Sequence, residues 1–169
     1  MQAVTPHAPS YYAASRTPTP LRPTLQGTVQ ADVCIVGAGY TGLSSGIALA
    51  EAGYKVVVLE QAQVGWGASG RNGGQIVHSY SRDIDVIESS YGKAAAEPLG
   101  RMMFEGAQII RERVAKYGID CDLKNGGVYA AITKTKVHGL REQKALWEKW
   151  GHKGLQLIED KAEIKKVVN

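Results

Sequence analysis

The apolar pattern between residues 33 and 59 predicts a strand, a helix and a second strand in succession. Val33–Val36 is a short apolar run without polar alternation, which is typical of a strand buried on both faces of a parallel sheet. Apolar residues then recur at helical spacing until Gly53, which we expect to end the helix. A second apolar run, Val56–Leu59, completes a βαβ unit, which implies parallel strands and a right-handed crossover. The helical positions are Leu43, Ile47 and Ala50.

Helical spacing returns further along the chain. It predicts a short helix over residues 84–91, a long amphipathic helix that begins after Pro98 and ends at Gly118, and another helix over residues 134–150. Asp160 is expected to cap a last helix that runs to Asn169. The apolar stripe of the long helix comprises Leu99, Met103, Ala107, Ile110, Val114 and Tyr117, and Met102, Trp147 and Trp150 are also interpreted as core residues.

Three strand-like runs lie between or after these helices. Asn125-Gly126 separates the first two of them, and Asn-Gly between apolar runs is a hairpin signal. The sequence therefore predicts a β-hairpin followed by one more strand. The runs are Asp120–Leu123, Val128–Ile132 and Leu155–Ile158.

Proline and glycine occupy different parts of the chain. Five of the six prolines lie in the first 23 residues, which predicts an extended arm over residues 1–30. Tyr11 and Tyr12 either pin this arm to the globular body or are exposed. Ten of the twenty glycines lie between Gly37 and Gly74. Glycine is used where the backbone turns sharply or touches a ligand, so we look for the chemistry there.

Composition and charge exclude several classes of protein. The chain has 169 residues, of which 44% are hydrophobic, so a long disordered chain is not expected. A net charge of +4 is well short of that of a typical nucleic-acid binder. Cys34 and Cys121 have no metal-ligand or redox spacing, and Cys34 is interpreted as a small buried hydrophobe. With no signal-peptide pattern and no apolar run of membrane-spanning length, we expect a cytoplasmic protein.

The segment between the first strand and its helix has the pattern G-x-G-x-x-G. In a dinucleotide-binding turn, Gly37 permits the tight bend, Gly39 lets the backbone approach a pyrophosphate, and Gly42 lets the helix pack closely on the strand. The N–H groups at the start of the helix then face the phosphates. The alternative interpretation is a glycine-rich turn without a ligand. The segment reads Gly37, Ala38, Gly39, Tyr40, Thr41 and Gly42.

Glu60 ends the second strand, where an acidic residue accepts hydrogen bonds from ribose hydroxyls. A carboxylate there would repel the 2′-phosphate of NADP, so NAD and FAD remain as candidate cofactors. The alternative interpretation of Glu60 is a solvated side chain at the end of a strand. An ordinary NAD domain would proceed into another helix. Here Gly65–Gln75 intervenes, with five glycines in eleven residues, and it is either a flexible surface loop or one that brings backbone close to a flat ligand.

These segments together resemble the FAD-dependent amine and amino-acid oxidases, the superfamily of the D-amino-acid, glycine and sarcosine oxidases. Further segments are similar to its bacterial branch that oxidises gamma-glutamylputrescine. The resemblance extends from about Ser10 to the end of the chain. The superfamily segments are Gly37–Gly42, Glu60 and residues 67–75, and those of the branch are residues 10–15, 39–45, 79–88 and 102–106.

The resemblance implies a cofactor site. The adenosine diphosphate half of FAD would lie over Gly37–Gly42 with its ribose on Glu60, beside Gln61. The flavin end would lie on the loop. Some relatives attach flavin covalently through a His at the position of Arg71, so non-covalent FAD is expected here. Arg71 would stabilise negative charge on reduced flavin or on phosphate, or else form a structural ion pair. The loop residues assigned to the cofactor are Ala68, Ser69, Arg71, Asn72, Gly73, Gly74 and Gln75.

The resemblance also implies an α/β fold. A Rossmann-like FAD domain with a parallel, three-layer arrangement would begin over residues 31–118, and a mixed α+β substrate domain would begin over residues 119–169. Both would be incomplete, because members of the family continue well past this length. The missing C-terminal part of the same protein is thus an expected partner.

The implied reaction oxidises a small-molecule amine by hydride transfer to the flavin. The imine hydrolyses to an aldehyde and ammonia, and oxygen is reduced to hydrogen peroxide. No catalytic acid or base is identified and no metal site is expected. His78 and Tyr80 are candidates for the flavin surroundings, although each is more often a packed residue. The alternatives are another FAD oxidase of the superfamily, an NAD-dependent dehydrogenase and a non-catalytic fragment. The histidines interpreted as surface residues are His7, His138 and His152.

Overall fold

The arm that precedes the first apolar run contains a short helix. The computed structural model describes residues 5–168, and the chain divides into two units, Met1–Gln75 and Ile76–Asn169. In the first unit, α1 (Tyr11–Ser15) is capped by the hydroxyl of Ser10, which accepts a backbone N–H of the helix at 3.2 Å. Its first two residues, both tyrosines, are exposed. The rest of the described arm is free of helix and strand.

The predicted βαβ unit is present. β1 (Val33–Val36) and β2 (Val56–Leu59) pair in parallel, and α2 (Tyr40–Glu51) connects them. Gly46 is buried where α2 crosses the sheet, and a Cβ there would come within 3.2 Å of a methyl group of Val58. The absence of a side chain at this position therefore lets the helix lie close to the strands.

The sheet is covered on one face only, which corrects the prediction of strands buried on both faces. Ile35 faces α2, whereas Cys34 and Val36 on the opposite face are exposed, Val36 to 87%. Cys34 is therefore not the buried hydrophobe that the apolar run indicated. Burial of both faces needs helices on both sides of a parallel sheet, and within the described part of this unit α2 alone packs on it.

The second unit is helical. The four predicted helices are all formed, and α3 and α4 pack against each other. They are α3 (Ile84–Tyr91), α4 (Lys93–Tyr117), α5 (Lys134–Lys149) and α6 (Lys161–Val167).

The long helix begins earlier than predicted. We expected α4 to start after Pro98, but it starts at Lys93 and contains the proline. The residues before Pro98 are mainly alanines, which have the highest helix propensity, and the proline removes one hydrogen bond, to the carbonyl of Ala94. The end of the helix is as predicted, since Gly118 adopts the left-handed conformation with φ 58°.

Each of the last two helices begins at a residue whose side chain caps it. Thr133 accepts the Lys136 N–H at the start of α5, and that helix ends one residue before the predicted Trp150. Asp160 caps α6 as predicted and accepts two backbone N–H groups at 2.8 and 3.0 Å. The predicted end of α6, Asn169, lies outside the described residues.

The predicted hairpin and the later strand are absent from the structure, so these predictions are wrong. None of the three predicted segments forms a strand. They are Asp120–Leu123, Val128–Ile132 and Leu155–Ile158. An isolated two-stranded hairpin is marginal in water, and it needs further strands or a packed helix to be stable. Ile132 is 84% exposed and Tyr129 of the same segment packs edge-on against Trp147, so the segment has an aromatic contact but no strand to pair with among the described residues.

The predicted core positions of the helical unit are partly confirmed. Trp147 is buried, and Trp150 packs against Gly100 so closely that a Cβ there would lie 2.2 Å from the indole. Met103 is partly buried, but Met102 is 56% exposed, which contradicts its interpretation as core. The apolar stripe of α4 is likewise open towards its C-terminal end. Its residues Ile110 and Tyr117 are exposed.

Residues 5–168 lack two kinds of structural feature. None of the helices there combines the length and apolar character that a membrane crossing requires. No group of three or more metal-ligating side chains occurs in the same part of the chain.

Candidate dinucleotide site

The turn after β1 is closed by backbone contacts at glycine. Gly37 has φ +98°, which side chains rarely adopt, and its N–H donates to Leu59 O at 2.7 Å. A Cβ at Gly42 would lie 2.0 Å from Gly37 O and 3.3 Å from a methyl group of Ile35. Glycine is therefore required at 37 by conformation and at 42 by the approach of helix to turn.

Helix α2 receives its cap from the loop rather than from its own first residue. The N-cap residue, Gly39, has no side chain, and the N–H of Tyr40 donates to Ser69 Oγ at 3.0 Å. The same hydroxyl would lie 3.0 Å from a Cβ at Gly39. The missing side chain thus leaves the space that the serine of the loop occupies.

Glu60 bridges the turn and the end of β2. Its Oε2 accepts the Ala38 N–H at 2.8 Å, and its Oε1 accepts the Ala62 N–H at 2.9 Å. The hydrogen bond from Ala38, followed by that from Ala62, lowers the pKa of the Glu60 carboxyl. The group is therefore ionised at neutral pH, and each oxygen retains a lone pair for a further donor.

The glycine-rich loop folds back onto the turn. Gly65 N–H donates to Ala38 O at 2.9 Å, and a short 3-10 helix, Ala68–Gly70, follows. Asn72 holds the loop in shape, because its amide donates to Ser69 O at 2.8 Å and its Oδ1 accepts the N–H of Gly74 at 2.9 Å. The loop is thus an ordered part of the unit, and it lies beside the start of α2.

Tyr40 and Arg71 have defined partners in this region. The Tyr40 hydroxyl accepts from the Asn72 amide at 2.8 Å. The Arg71 guanidinium lies 5.4 Å from the ring centre of Trp66, and its Nε donates to Gly67 O at 3.2 Å. A cation–π contact therefore takes the place of the structural ion pair that was one interpretation of Arg71.

The structure brings most of the predicted residues together in the first unit. The turn, Glu60 and the loop are joined by the hydrogen bonds from Ala38, Tyr40 and Gly65. The remaining predicted residues lie exposed along the same segments. They are Thr41, Gln61, Ala68, Gly73 and Gln75.

A pocket of about 330 Å³ lies beside this site, and sequence reasoning missed part of its lining. The arm contributes His7, Tyr12 and Arg16, and the turn and loop contribute Tyr40 and Asn72 among others. His7 was interpreted as a surface residue, but it is partly buried. The proline-rich composition of the arm gives no signal for this placement, because it predicts extended chain without predicting what that chain contacts.

The two candidates after the loop belong to the second unit. His78 packs with Phe104 at 5.1 Å and His152 at 4.9 Å between ring centres. Burial, followed by the nearby charges of His152 and Arg111, lowers the pKa of His78. Tyr80 donates its hydroxyl to Leu99 O at 2.9 Å, and burial raises its pKa. His78 therefore has the contacts of a packed residue, whereas Tyr80 is 37% exposed and is held by this hydrogen bond.

His152 corrects a second surface interpretation. It is partly buried and its ring stacks on Trp147 with 5.8 Å between centres. His138 is exposed, as expected, and lies 3.4 Å from Glu142. The helical unit therefore contains an aromatic cluster, formed by His78, Phe104, Trp147 and His152, that spacing alone did not indicate.

A βαβ unit with a glycine-rich turn, an acidic residue at the end of β2 and a loop folded onto the turn defines a dinucleotide-binding protein. Comparison with known proteins gives the family. The family described as FAD dependent oxidoreductase matches residues 32–169. The chain belongs to this family of FAD-dependent oxidoreductases, whose nucleotide-binding fold is Rossmann-like.

Individual relatives are consistent with this family. The chain is 55% identical over 159 residues to the gamma-glutamylputrescine oxidoreductase of Escherichia coli (strain K12). It is 41% identical over 160 residues to a probable oxidoreductase, OrdL, of Haemophilus influenzae. Each match covers 94% of this chain and 37% of the relative, so the chain spans little more than a third of their length. No solved structure gives a significant match.

Proposed function

We propose that this chain supplies the N-terminal part of an FAD-dependent oxidase that acts on the amine of gamma-glutamylputrescine. The observation that carries the proposal is the 55% identity, over 94% of the chain, to a protein named for that substrate. The turn and the ionised Glu60 support the cofactor half of the proposal independently. The expected cytoplasmic location stays a prediction.

The described residues fit the adenosine half of FAD. Gly37 has φ +98° and a Cβ there would meet nothing within 4 Å, so the backbone of the turn is open to a pyrophosphate, next to the positive end of the α2 dipole. Glu60 is ionised and has spare lone pairs for ribose hydroxyls. We therefore propose that Gly37–Gly42, Glu60 and Gln61 hold this half.

The loop fits the flavin half. Residues 68–75 are ordered by Asn72 and present backbone with few large side chains, which suits a flat ring system. Arg71 replaces the histidine that attaches flavin in some relatives, and a guanidinium cannot form that bond, so we propose non-covalent binding. The cation is available to a negative charge on the ring or on phosphate, since its present partners are an aromatic face and a carbonyl.

The proposed reaction converts the amine, oxygen and water to an aldehyde, ammonia and hydrogen peroxide. Bound FAD would supply the hydride acceptor. The contribution of this chain is to bind and orient the cofactor through its turn, carboxylate and loop. We propose that residues 31–118 belong to the FAD domain in three layers, and that 119–169 begin a mixed α+β substrate domain. The substrate pocket would be completed by later residues.

The experiment compares two proteins. One is the 169-residue chain and the other is the same chain continued by the remainder of its coding sequence. We expect peroxide and ammonia in equal amounts from gamma-glutamylputrescine with the longer protein, and none with the 169-residue chain. Turnover of glycine or sarcosine instead would favour another oxidase of the superfamily. Peroxide from the short chain would show that it is catalytic by itself.

A further inference from the structure

The N-terminal arm is anchored to the segment that leads into the glycine-rich loop. The indole N–H of Trp66 donates to Pro6 O at 2.8 Å, and the side-chain amide of Gln63 donates to Thr5 O at 3.2 Å. Both bonds join groups about sixty positions apart in sequence. They hold the arm against the proposed FAD site, within the same structural unit.

A pocket lies between the arm and the loop. Its volume, about 330 Å³, is within the range of ligand sites. The Nε2 atom of His7 is buried in this region and has no hydrogen-bond partner among the described residues. Burying a polar atom without a hydrogen-bond partner costs free energy. A ligand that forms a hydrogen bond with this atom would remove that cost and would therefore bind more tightly.

The charge of the pocket favours an anion. Among the described residues of its lining, Arg16 is the single one with a permanent charge, and none of them carries a carboxylate. Tyr40, at the first turn of α2, lies in the same lining, so the positive end of the helix dipole reinforces the field of Arg16. A dinucleotide, with its two phosphates, matches this environment.

We propose that the arm, residues 5–19, forms one wall of the FAD site, with Arg16 attracting the phosphates and His7 donating to or accepting from the cofactor. This inference rests on the proposed function, because it takes FAD as the ligand. It adds a binding element outside the glycine-rich turn and the loop. The arm acts in cofactor binding, and we assign it no part in the chemistry.

The experiment measures FAD affinity of the full-length protein, by quenching of flavin fluorescence after removal of bound cofactor. The variant is Arg16→Gln, and the matched control is Arg22→Gln, which changes an exposed arginine of the same arm outside the pocket. We expect Arg16→Gln to raise the dissociation constant about tenfold, and the control to leave it within about twofold, since charge-assisted contacts are the stronger ones.

A second readout does not depend on a substitution. Arg16 is the only trypsin site in the arm, because Arg22 precedes a proline. Saturating FAD should slow cleavage after Arg16 several-fold, whereas cleavage of an added reporter peptide in the same mixture should be unchanged. Protection by FAD together with the loss of affinity in Arg16→Gln is the expected result.

Two outcomes overturn the inference in different ways. If the wild-type protein binds FAD and Arg16→Gln binds it equally or more tightly, the arm is not a wall of the site, and the proposed function stands. If the wild-type full-length protein binds no FAD at all, the proposed function fails and the inference fails with it.

Discussion

The two units of this chain are held together by different kinds of contact. In Met1–Gln75 the decisive contacts are between backbone groups, as where Gly42 lies against Gly37 O. In Ile76–Asn169 they are between side chains, as where Gly100 admits the indole of Trp150. The first unit buries little apolar surface and leaves one face of its sheet exposed, whereas the second gathers an aromatic cluster and has no strand among its described residues.

The difference indicates where specificity for a ligand lies. The bond from Ala38 holds the ionised carboxylate of Glu60 close to the N-terminal end of α2, and an acceptor beside a positive helix end is what a ribose and a pyrophosphate need. In the second unit, side-chain packing gathers aromatic rings, among them those of His78 and His152, between the helices. We therefore expect the contacts to the cofactor to come from the first unit.

Gly42→Ala should have the largest effect. The added Cβ would lie 2.0 Å from a backbone oxygen that cannot move without opening the turn, so we expect a loss of about 2–3 kcal/mol of unfolding free energy and of most FAD affinity. Gly46→Ala on the same helix meets side-chain atoms at 3.2 Å or more and should cost clearly less. Chemical denaturation of both variants measures the loss of unfolding free energy. Equal losses would contradict the claim that contact with a backbone oxygen makes position 42 the more sensitive one.

Gly100→Ala should rank second. Its Cβ would lie 2.2 Å from the Trp150 ring, which can shift, so we expect a loss of about 1–2 kcal/mol confined to the helical unit. Gly106→Ala on the same helix meets nothing within 4 Å and should stabilise it by about 0.5–1 kcal/mol. Hydrogen exchange resolves the two units. Loss of protection in β1 and β2 on Gly100→Ala would show that the units are not separable.

Glu60→Gln tests the ribose contact. We expect about a tenfold weaker FAD affinity, because an amide is a poorer acceptor than a carboxylate for two backbone donors and a ribose. The pKa of the Glu60 carboxyl lies below its ordinary 4.5. Its contribution to stability is therefore complete above that pH and is lost as the pH falls through the lowered value. In acid titrations, the difference in stability between wild type and variant should be constant above pH 4.5 and should shrink only as the pH falls from 4.5 through the lowered value.

The smallest effect concerns the aromatic cluster. Burial lowers the pKa of His78 from its ordinary 6.5, so below pH 6.5 the unfolded chain takes up a proton that the folded chain does not. The stability of the helical unit should therefore decline modestly as the pH falls from 6.5 to the lowered value. His78→Phe should remove this dependence and His138→Gln should not. Urea midpoints at several pH values measure it, and a rise in stability on acidification would contradict it.

Sequence predicts best the elements that depend on neighbouring residues. The helices α3 and α5, the left-handed Gly118 and the Asp160 cap all follow from local spacing and capping, and all are present. The G-x-G-x-x-G turn is local too, because its glycines are required by conformation and by contact with an adjacent strand.

Sequence predicts less well what depends on partners elsewhere. The segments 120–132 and 155–158 have strand-like composition, but strands form only with others to pair with. Cys34 lies between apolar residues in the sequence, which is typical of a buried position. Its burial would need a helix on the face of the sheet opposite α2, and α2 covers only the other face. The placement of His7 and Arg16 beside the loop depends on contacts across the unit, and no local pattern encodes it.

A crystal structure of the full-length protein with FAD decides whether the first unit is the cofactor site. We expect a ribose hydroxyl within hydrogen-bond distance of the Glu60 carboxylate, with the phosphates at the N-terminus of α2. The account is wrong if the ribose binds elsewhere and Glu60 contacts only the N–H groups of Ala38 and Ala62.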